Sequence, residues 1–257
     1  MKGALPVVSV VMPAYNAAET ITDAIESVVT QTFPHWELLI VVDAATDDTL
    51  TIANRWARQD SRIRVFFNDI NTGVARSRNL AMDHAVGQYL AFLDSDDLWL
   101  PEKLAFQVDF MTRSGTELCY GAYERFSKHG ERRLVVPQDQ VSRSELLRGN
   151  IIPNLTGVVS RKLVADLRFQ PIGHEDYVFW LSVLQRTPVA RRLPARVPIA
   201  RYRVHAASLS SRKWQNLGWQ WRIYRQTLGL SWLHSATLMM HYATRALLKR
   251  TIGNQRD

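Results

Sequence analysis

The chain has 257 residues, 46% of them apolar, and a net charge of +8; that is enough for one large α/β domain or two small ones, and it excludes a globally disordered chain. The single cysteine, Cys119, excludes an internal disulfide and argues against a cysteine-based zinc site. No uninterrupted apolar run approaches the ~18 residues of a membrane span and no charged-then-apolar leader opens the chain, so the expectation is a cytoplasmic, reducing location.

Apolar runs predict strands at Val7–Met12, Trp36–Val42, Ile63–Phe67 and Gln88–Leu93. Helical spacing fills the gaps. Ile21, Ala24, Ile25 and Val28 share one face, Leu50, Ala53, Trp56 and Ala57 another, and a third helix is predicted over Val74–Ala85. Asn16 and Glu19 have the spacing of an N-cap and its capping-box partner, and Thr46 or Asp47 would cap the second helix. Strands alternating with helices predict a parallel sheet with right-handed crossovers. Ligands of such sheets bind beyond the carboxyl ends of the strands.

The turns at those ends are unusually polar. The first carries Pro13, Tyr15 and Asn16, and the second Asp43. The third carries Asn68, Asp69, Asn71 and Gly73, followed by Arg76 and Arg78. The fourth is a run of acids, Asp94, Ser95, Asp96 and Asp97. Desolvated carboxylates are costly unless something cationic meets them. The run is therefore a place for a divalent cation with oxygen ligands, and such cations commonly carry phosphates. Arginines and a cation on phosphate, with a carboxylate on ribose or base, suit a nucleoside diphosphate.

From Pro101 the pattern changes. A helix is predicted over Pro101–Arg113, strand-like runs over Leu118–Phe126 and Arg133–Val136, and a capping box at Ser142 and Glu145. Leu155–Ser160 reads as a strand. His174, Glu175, Asp176 and Tyr177 open an amphipathic helix with Val178, Leu181 and Leu184 inward, and Ile199–Val204 returns to the sheet. The tail is different again. From Arg201 to Asp257 there are ten Lys or Arg and one acid, a charge of +9 against −1 for the rest, together with Trp214, Trp219, Trp221 and Trp232. Two helices are predicted there, parted near Gly229, the second with an apolar stripe of Leu233, Ala236, Met240, Ala243 and Leu247. That stripe either packs on the body or lies on an anionic membrane with its cations toward headgroups.

Several segments together resemble the family 2 glycosyltransferases, inverting enzymes with the nucleotide-sugar-binding GT-A fold. They are Val8–Asn16; Asn71–Gly73 with Arg78 and Asn79; Ala85–Tyr89; Phe92–Trp99, which resembles the DxD region; Leu100–Leu104; Gly173–Trp180; and Tyr202–Ser210. The resemblance runs from Val7 to about Ser210. It implies an α/β GT-A fold, a Rossmann-like and mostly parallel central sheet flanked by helices, with a C-terminal helical extension. The implied layout is a catalytic domain over 1–210, nucleotide-binding to about 100 and acceptor-binding after it, and a basic tail over 211–257. One departure stands out: the second strand commonly ends Asp-Asp-Gly-Ser in this family, whereas here Val42, Asp43, Ala44 and Ala45 stand there.

The resemblance implies a single in-line displacement at a sugar carbon. Asp176 would be the general base, with Glu175 as its orienting neighbour, both at a helix N-terminus whose dipole favours the charged form. Pro13, Tyr15, Asn16, Asp43, Arg78, Asp94, Ser95 and Arg203 would bind the nucleotide sugar, UDP favoured. Asp96 and His205 would hold Mn2+ or Mg2+. The acceptor would be a growing bacterial surface glycan on a polyprenyl diphosphate, met at the inner face of the cytoplasmic membrane, with the tail on anionic lipid. The acceptor pocket would draw on Tyr120–Phe126 and Ile151–Thr156. Two other readings stand beside this one: a nucleotide-binding homologue without chemistry, and a nucleic-acid-binding protein using the tail. Against the second, no nucleic-acid-binding motif is visible.

Overall fold

The computed structural model describes residues 6–127, 130, 132–204 and 213–241. Strands β1 (Val8–Ala14), β2 (Trp36–Asp43), β3 (Ile63–Asn68) and β4 (Tyr89–Phe92) alternate with helices α1 (Ile21–Val29), α2 (Thr49–Gln59) and α3 (Val74–His84). The strands pair in parallel in the order β3-β2-β1-β4. Every residue of β1 and β2 is buried, as expected of unbroken apolar strands covered on both faces. Ile21, Ala24, Ile25 and Val28 of α1 face this sheet from one side, and each larger aliphatic side chain so buried contributes on the order of 1.5–3 kcal/mol.

The second half is more irregular. It contains β5 (Leu98–Trp99), α4 (Lys103–Ser114), β6 (Leu118–Tyr120), β7 (Ala122–Phe126), β8 (Arg132–Val135), β9 (Gln140–Val141), α5 (Arg143–Leu146), β10 (Val158–Ser160), α6 (Glu175–Val183), β11 (Ala190–Arg192), β12 (Pro198–Arg203) and α7 (Lys213–Arg222). Strand β10 runs antiparallel between β4 and β6, and β11 and β9 extend the sheet to eight strands. The central sheet is thus parallel in its first half and mixed beyond β4. A second sheet has the order β5-β12-β7-β8.

Several sequence expectations are corrected here. The first helix starts at Ile21 with Thr20 as N-cap and no side-chain cap. Asn16 is diverted to another turn, and the amides of Ala17 and Ala18 are met instead by Thr49 Oγ1 at 2.8 Å and Asp47 Oδ2 at 3.0 Å. The run Leu118–Phe126 is split at Gly121, where a Cβ would lie 2.4 Å from the Ile199 side chain; β6 joins the main sheet and β7 the second. Thr156 closes a 3₁₀ turn, Asn154–Thr156, so only Val158–Ser160 is strand. Residues Pro198–Arg203 enter the second sheet, beside β5 and β7. The capping box at Ser142 and Glu145 forms as expected.

Helix α6 is not amphipathic: Tyr177, Val178, Phe179, Trp180, Leu181 and Val183 are all buried. Its outer face is covered by residues within 213–241. Helix α7 continues into a π-turn, Ile223–Thr227. The chain then breaks around Gly229, and residues 232–241 are helical again. Ile223, Tyr224 and Leu238 share a core with Tyr177 and Trp180. The face that packs is Ser235 and Leu238, whereas Leu233 and Met240 of the expected stripe are exposed. Ala243 and Leu247 lie outside the described residues.

Candidate active site

At the carboxyl ends of β1, β2, β3 and β4 lies a cleft of about 840 Å³. Pro13, Tyr15, Asn16, Asp43, Arg78, Asp94, Ser95, Asp96 and Glu175 all line it. Its turns are tied to one another. Asn16 Oδ1 accepts from the Thr46 amide at 2.8 Å. Asp43 accepts from Asn68 Nδ2 at 2.7 Å, from the Thr72 hydroxyl at 2.9 Å and from the Gly73 amide at 2.7 Å. Burial pushes the Asp43 carboxyl up, but these donors outweigh it and hold it below the usual carboxylate range. Most of its hydrogen-bonding capacity is thus spent on the loop that opens α3.

Arg78 is buried between two acids. Its Nη2 donates to Asp94 Oδ1 at 2.6 Å and its Nη1 to Glu175 Oε1 at 3.3 Å, while Nε has no hydrogen-bond partner. Burial works against the cation, but Asp94, Glu175 and Asp176 together hold its pKa above the ordinary value. Arg76, expected beside it, is exposed and lines neither cleft.

Arg78, Asp94, Glu175 and Tyr202 also line a second cleft, about 490 Å³, that holds Asp176. Tyr123, Pro153, Asn154 and Leu155 contribute from the two segments expected there. Asn150 Nδ2 donates to Asp176 Oδ2 at 2.9 Å. Protein packed around Asp176 pushes its carboxyl above the usual range; the cation of Arg78 and a backbone donor at Tyr177 only partly oppose this. Burial therefore outweighs the helix-end effect expected from sequence.

Arg203 lines neither cleft. It braces the acidic loop from behind: its Nε donates to the Asp96 carbonyl at 2.8 Å and its amide to Asp97 Oδ1 at 2.8 Å. Asp97 is almost fully buried. Burial, with Asp94 and Asp96 beside it, pushes its carboxyl well above the usual range. In the sequence Asp97 was legible only as part of the acidic run and Tyr202 only as the start of a resembling segment, neither with a role of its own, while Asn150 and Trp219 gave no signal for this site. His205 lies outside the described residues.

Among the described residues, no three His, Cys, Asp or Glu side chains are placed to hold a metal ion between them. Asp94 and Asp96 nonetheless offer only oxygen donors, and both face the first cleft. Oxygen donors of this kind suit a hard divalent cation. Backbone strain also collects here. Among the described residues, Asn16, Ala44 and His174 are the non-glycine positions with positive φ, at 46°, 53° and 51°. Asn16 and His174 line the clefts, and Ala44 follows Asp43.

Residues 9–161 match the model of glycosyl transferase family 2. The chain belongs to that family. A putative teichuronic acid biosynthesis glycosyltransferase of Bacillus subtilis, TuaG, is 33% identical over 95% of this chain and 98% of its own. The Escherichia coli UDP-Glc:alpha-D-GlcNAc-diphosphoundecaprenol beta-1,3-glucosyltransferase WfgD is 35% identical over 84% of each chain. The Staphylococcus aureus TarS fragment 1-349, solved with UDP-GlcNAc, superposes with a TM-score of 0.71 at 21% identity, covering 93% of this chain and 72% of that one. A mannosyltransferase from Pyrobaculum calidifontis, solved with GDP-Man and Mn2+, gives 0.68 at 18% identity over 99% of this chain and 77% of its own. The fold of this family 2 glycosyltransferase is therefore GT-A.

Proposed function

We propose that this family 2 glycosyltransferase acts in bacterial surface polysaccharide synthesis, moving a hexosyl or N-acetylhexosaminyl unit from a UDP-sugar to a hydroxyl of a polyprenyl-diphosphate-linked glycan, with inversion. The observation that carries this reading is the wall of Arg78, Asp94 and Glu175 shared by two clefts, with Asp176 on the far side. Inversion requires the acceptor oxygen to enter opposite the departing nucleoside diphosphate. Two clefts meeting at one wall allow that approach. The named substrates of WfgD and the UDP-GlcNAc bound to TarS support the donor and acceptor classes.

Asp176 takes the acceptor proton. Asn150 holds one carboxylate oxygen, and burial makes the group a stronger base than an ordinary aspartate. Arg78 keeps Glu175 and Asp94 in place on either side of the wall. Asp43 fixes the loop that lines the donor cleft, and the amide and guanidinium of Arg203 fix the acidic loop. Asp96, with His205, would hold Mn2+ or Mg2+, which when bound offsets the charge of the leaving diphosphate.

The test is transfer from UDP-glucose or UDP-GlcNAc to an N-acetylglucosaminyl diphosphate on a short alkyl chain. Asp176→Asn is expected to lower transfer by about 10²–10⁴-fold while UDP still binds. The rate of the unsubstituted chain should fall on acidification at a higher pH than an ordinary aspartate would give. Near-normal turnover by Asp176→Asn would overturn the assignment.

The tail meets an anionic membrane surface in this reading. Trp232 and Leu233 are 62% and 74% exposed and sit within the +9 segment. Among the described residues no helix is long and apolar enough to cross a membrane, so attachment is by the surface. Recovery with anionic vesicles on flotation, lost at high salt, is expected; equal recovery with neutral vesicles would reject it.

A further inference from the structure

The wall of the second cleft includes a residue from outside the family's shared region. Trp219, on α7, lines it together with Asp176, Tyr123 and Tyr202. The indole is half-buried and stands over the turn that opens α6. The His174 ring meets it edge-on at 5.1 Å, and a Cβ at Gly173 would lie 3.7 Å from it. Its neighbours fix the helix rather than Trp219 itself. Gln220 Nε2 donates to the Tyr177 hydroxyl at 3.1 Å, and the Tyr224 hydroxyl donates to the Leu147 carbonyl. The π-turn Ile223–Thr227 follows at once, a backbone feature that gathers near functional sites.

The charge of the cleft is lopsided. Asp94, Asp97, Glu175 and Asp176 line it against Arg78, whose guanidinium is already engaged by Asp94 and Glu175. A second anion placed there would meet carboxylates. An uncharged pyranose would not: its C–H face suits an aromatic plane and its hydroxyls suit carboxylate acceptors. We infer that Trp219 is the platform for the terminal, uncharged sugar ring of the acceptor, so that the tail helix selects the acceptor as well as covering α6. This rests on the glycosyltransferase reading and deepens it.

The test uses the full chain, UDP-glucose, and two probes: an N-acetylglucosaminyl diphosphate and a glucuronosyl diphosphate, each on a short alkyl chain. Trp219→Leu keeps apolar bulk and loses the ring face. Its acceptor KM should rise roughly tenfold, the size of one good aromatic contact, with kcat at saturation little changed. Trp219→Phe should restore most of the affinity. The unsubstituted chain should use the glucuronosyl probe at least about tenfold less well. Saturation-transfer NMR from indole protons to the N-acetylglucosaminyl ring should be present in the unsubstituted chain and weaker in Trp219→Leu. An unchanged KM in a Trp219→Leu protein with an unchanged melting temperature, equal use of the uronate, or no saturation transfer in the unsubstituted chain would each overturn the inference. A chain that neither hydrolyses nor transfers any UDP-sugar would sink the broader reading instead.

Discussion

The two clefts, donor-side and acceptor-side in the reading proposed above, share the Arg78 wall but are assembled in opposite ways. On the donor side each turn follows directly from a parallel strand, and the turns bond to one another, Asn16 to Thr46 and Asp43 to Thr72 and Gly73. On the acceptor side the pieces come from far apart: Tyr123 from the second sheet, Asn154 from a 3₁₀ turn, Asp176 from α6, and Trp219 from α7. Apart from Glu175 and Tyr202, the lining of the first cleft falls inside the region matched by the family model, whereas the second also draws Asp176 and Trp219 from beyond residue 161. In the proposed reading the nucleoside diphosphate would be met by turns that bond to one another. The acceptor, in the same reading, would be met by parts brought together from distant elements.

Arg78 is where the two constructions join, so removing it is the largest blow to the comparison. Arg78→Met leaves Asp94 and Glu175 without their buried cation. A broken buried pair costs about 3–5 kcal/mol, and the loss should appear as a lower midpoint in urea unfolding followed by circular dichroism. Transfer should fall as well, since both clefts lose a wall. A stability loss below about 1 kcal/mol would mean that the backbone alone holds the clefts in register.

The same contrast explains what was legible in the sequence. Asp43, Asp94 and Asp96 could be found because each stands at the end of a recognisable apolar strand, and Arg78 because it lies in the opening turns of the helix after the third; strand ends in a parallel sheet converge. The four strands and three helices of the first half are periodic over their whole length and were read to within a few residues. Asn16 was misread because its cap would be local, whereas it bonds Thr46 and leaves the nearby amides to Asp47 and Thr49. Asp97 read only as the last of the acidic run; the donor that meets it comes from β12, more than a hundred residues later. Helix α6 looked amphipathic because nothing in its own residues reports that Tyr224 and Leu238 will cover its outer face. Trp219 sits among cations and tryptophans that read as a surface. Only its place on α7 brings it to the cleft.

A smaller effect tests the seam between the halves. Lys103 of α4 is fully buried, its Nζ donating to Gln107 Oε1 at 2.7 Å, and Gln107 Nε2 reaches the Thr156 carbonyl at 2.8 Å. This chain joins the helix after the acidic loop to the turn that lines the acceptor cleft. Burial pulls the Lys103 pKa down to about 7, while the Trp99 ring, 3.9 Å from Nζ, favours the cation and offsets part of that. The folded pKa lies below the ordinary 10.5, so the unfolded chain binds the extra proton and stability is lost as pH falls toward 7. The thiol of Cys119, pushed up from 9.0 to about 12, acts in the opposite direction only above pH 9. Between pH 7 and 9, stability should therefore rise with pH by about 1 kcal/mol per unit more than in Lys103→Met. Parallel pH–stability curves for the two proteins would show that Lys103 stays charged inside the fold.

The smallest change probes the donor side alone. Ala44 holds φ at 53°, directly after Asp43, where the family commonly has glycine. A side chain in the left-handed region costs about 1–2 kcal/mol, and glycine gives back roughly 0.5–1 kcal/mol through its looser unfolded state. Ala44→Gly should then stabilise the chain by about 0.5–1 kcal/mol, seen as a small rise in urea midpoint. Asp43 keeps its bonds to Asn68, Thr72 and Gly73, so the loop that opens α3 should not move. UDP affinity then separates two meanings of the departure. If it is unchanged, the alanine is a tolerated strain and the donor cleft is as uniform as its strand-end construction implies. If it shifts, the backbone at Ala44 contacts the nucleotide, and the donor side too carries a residue peculiar to this chain.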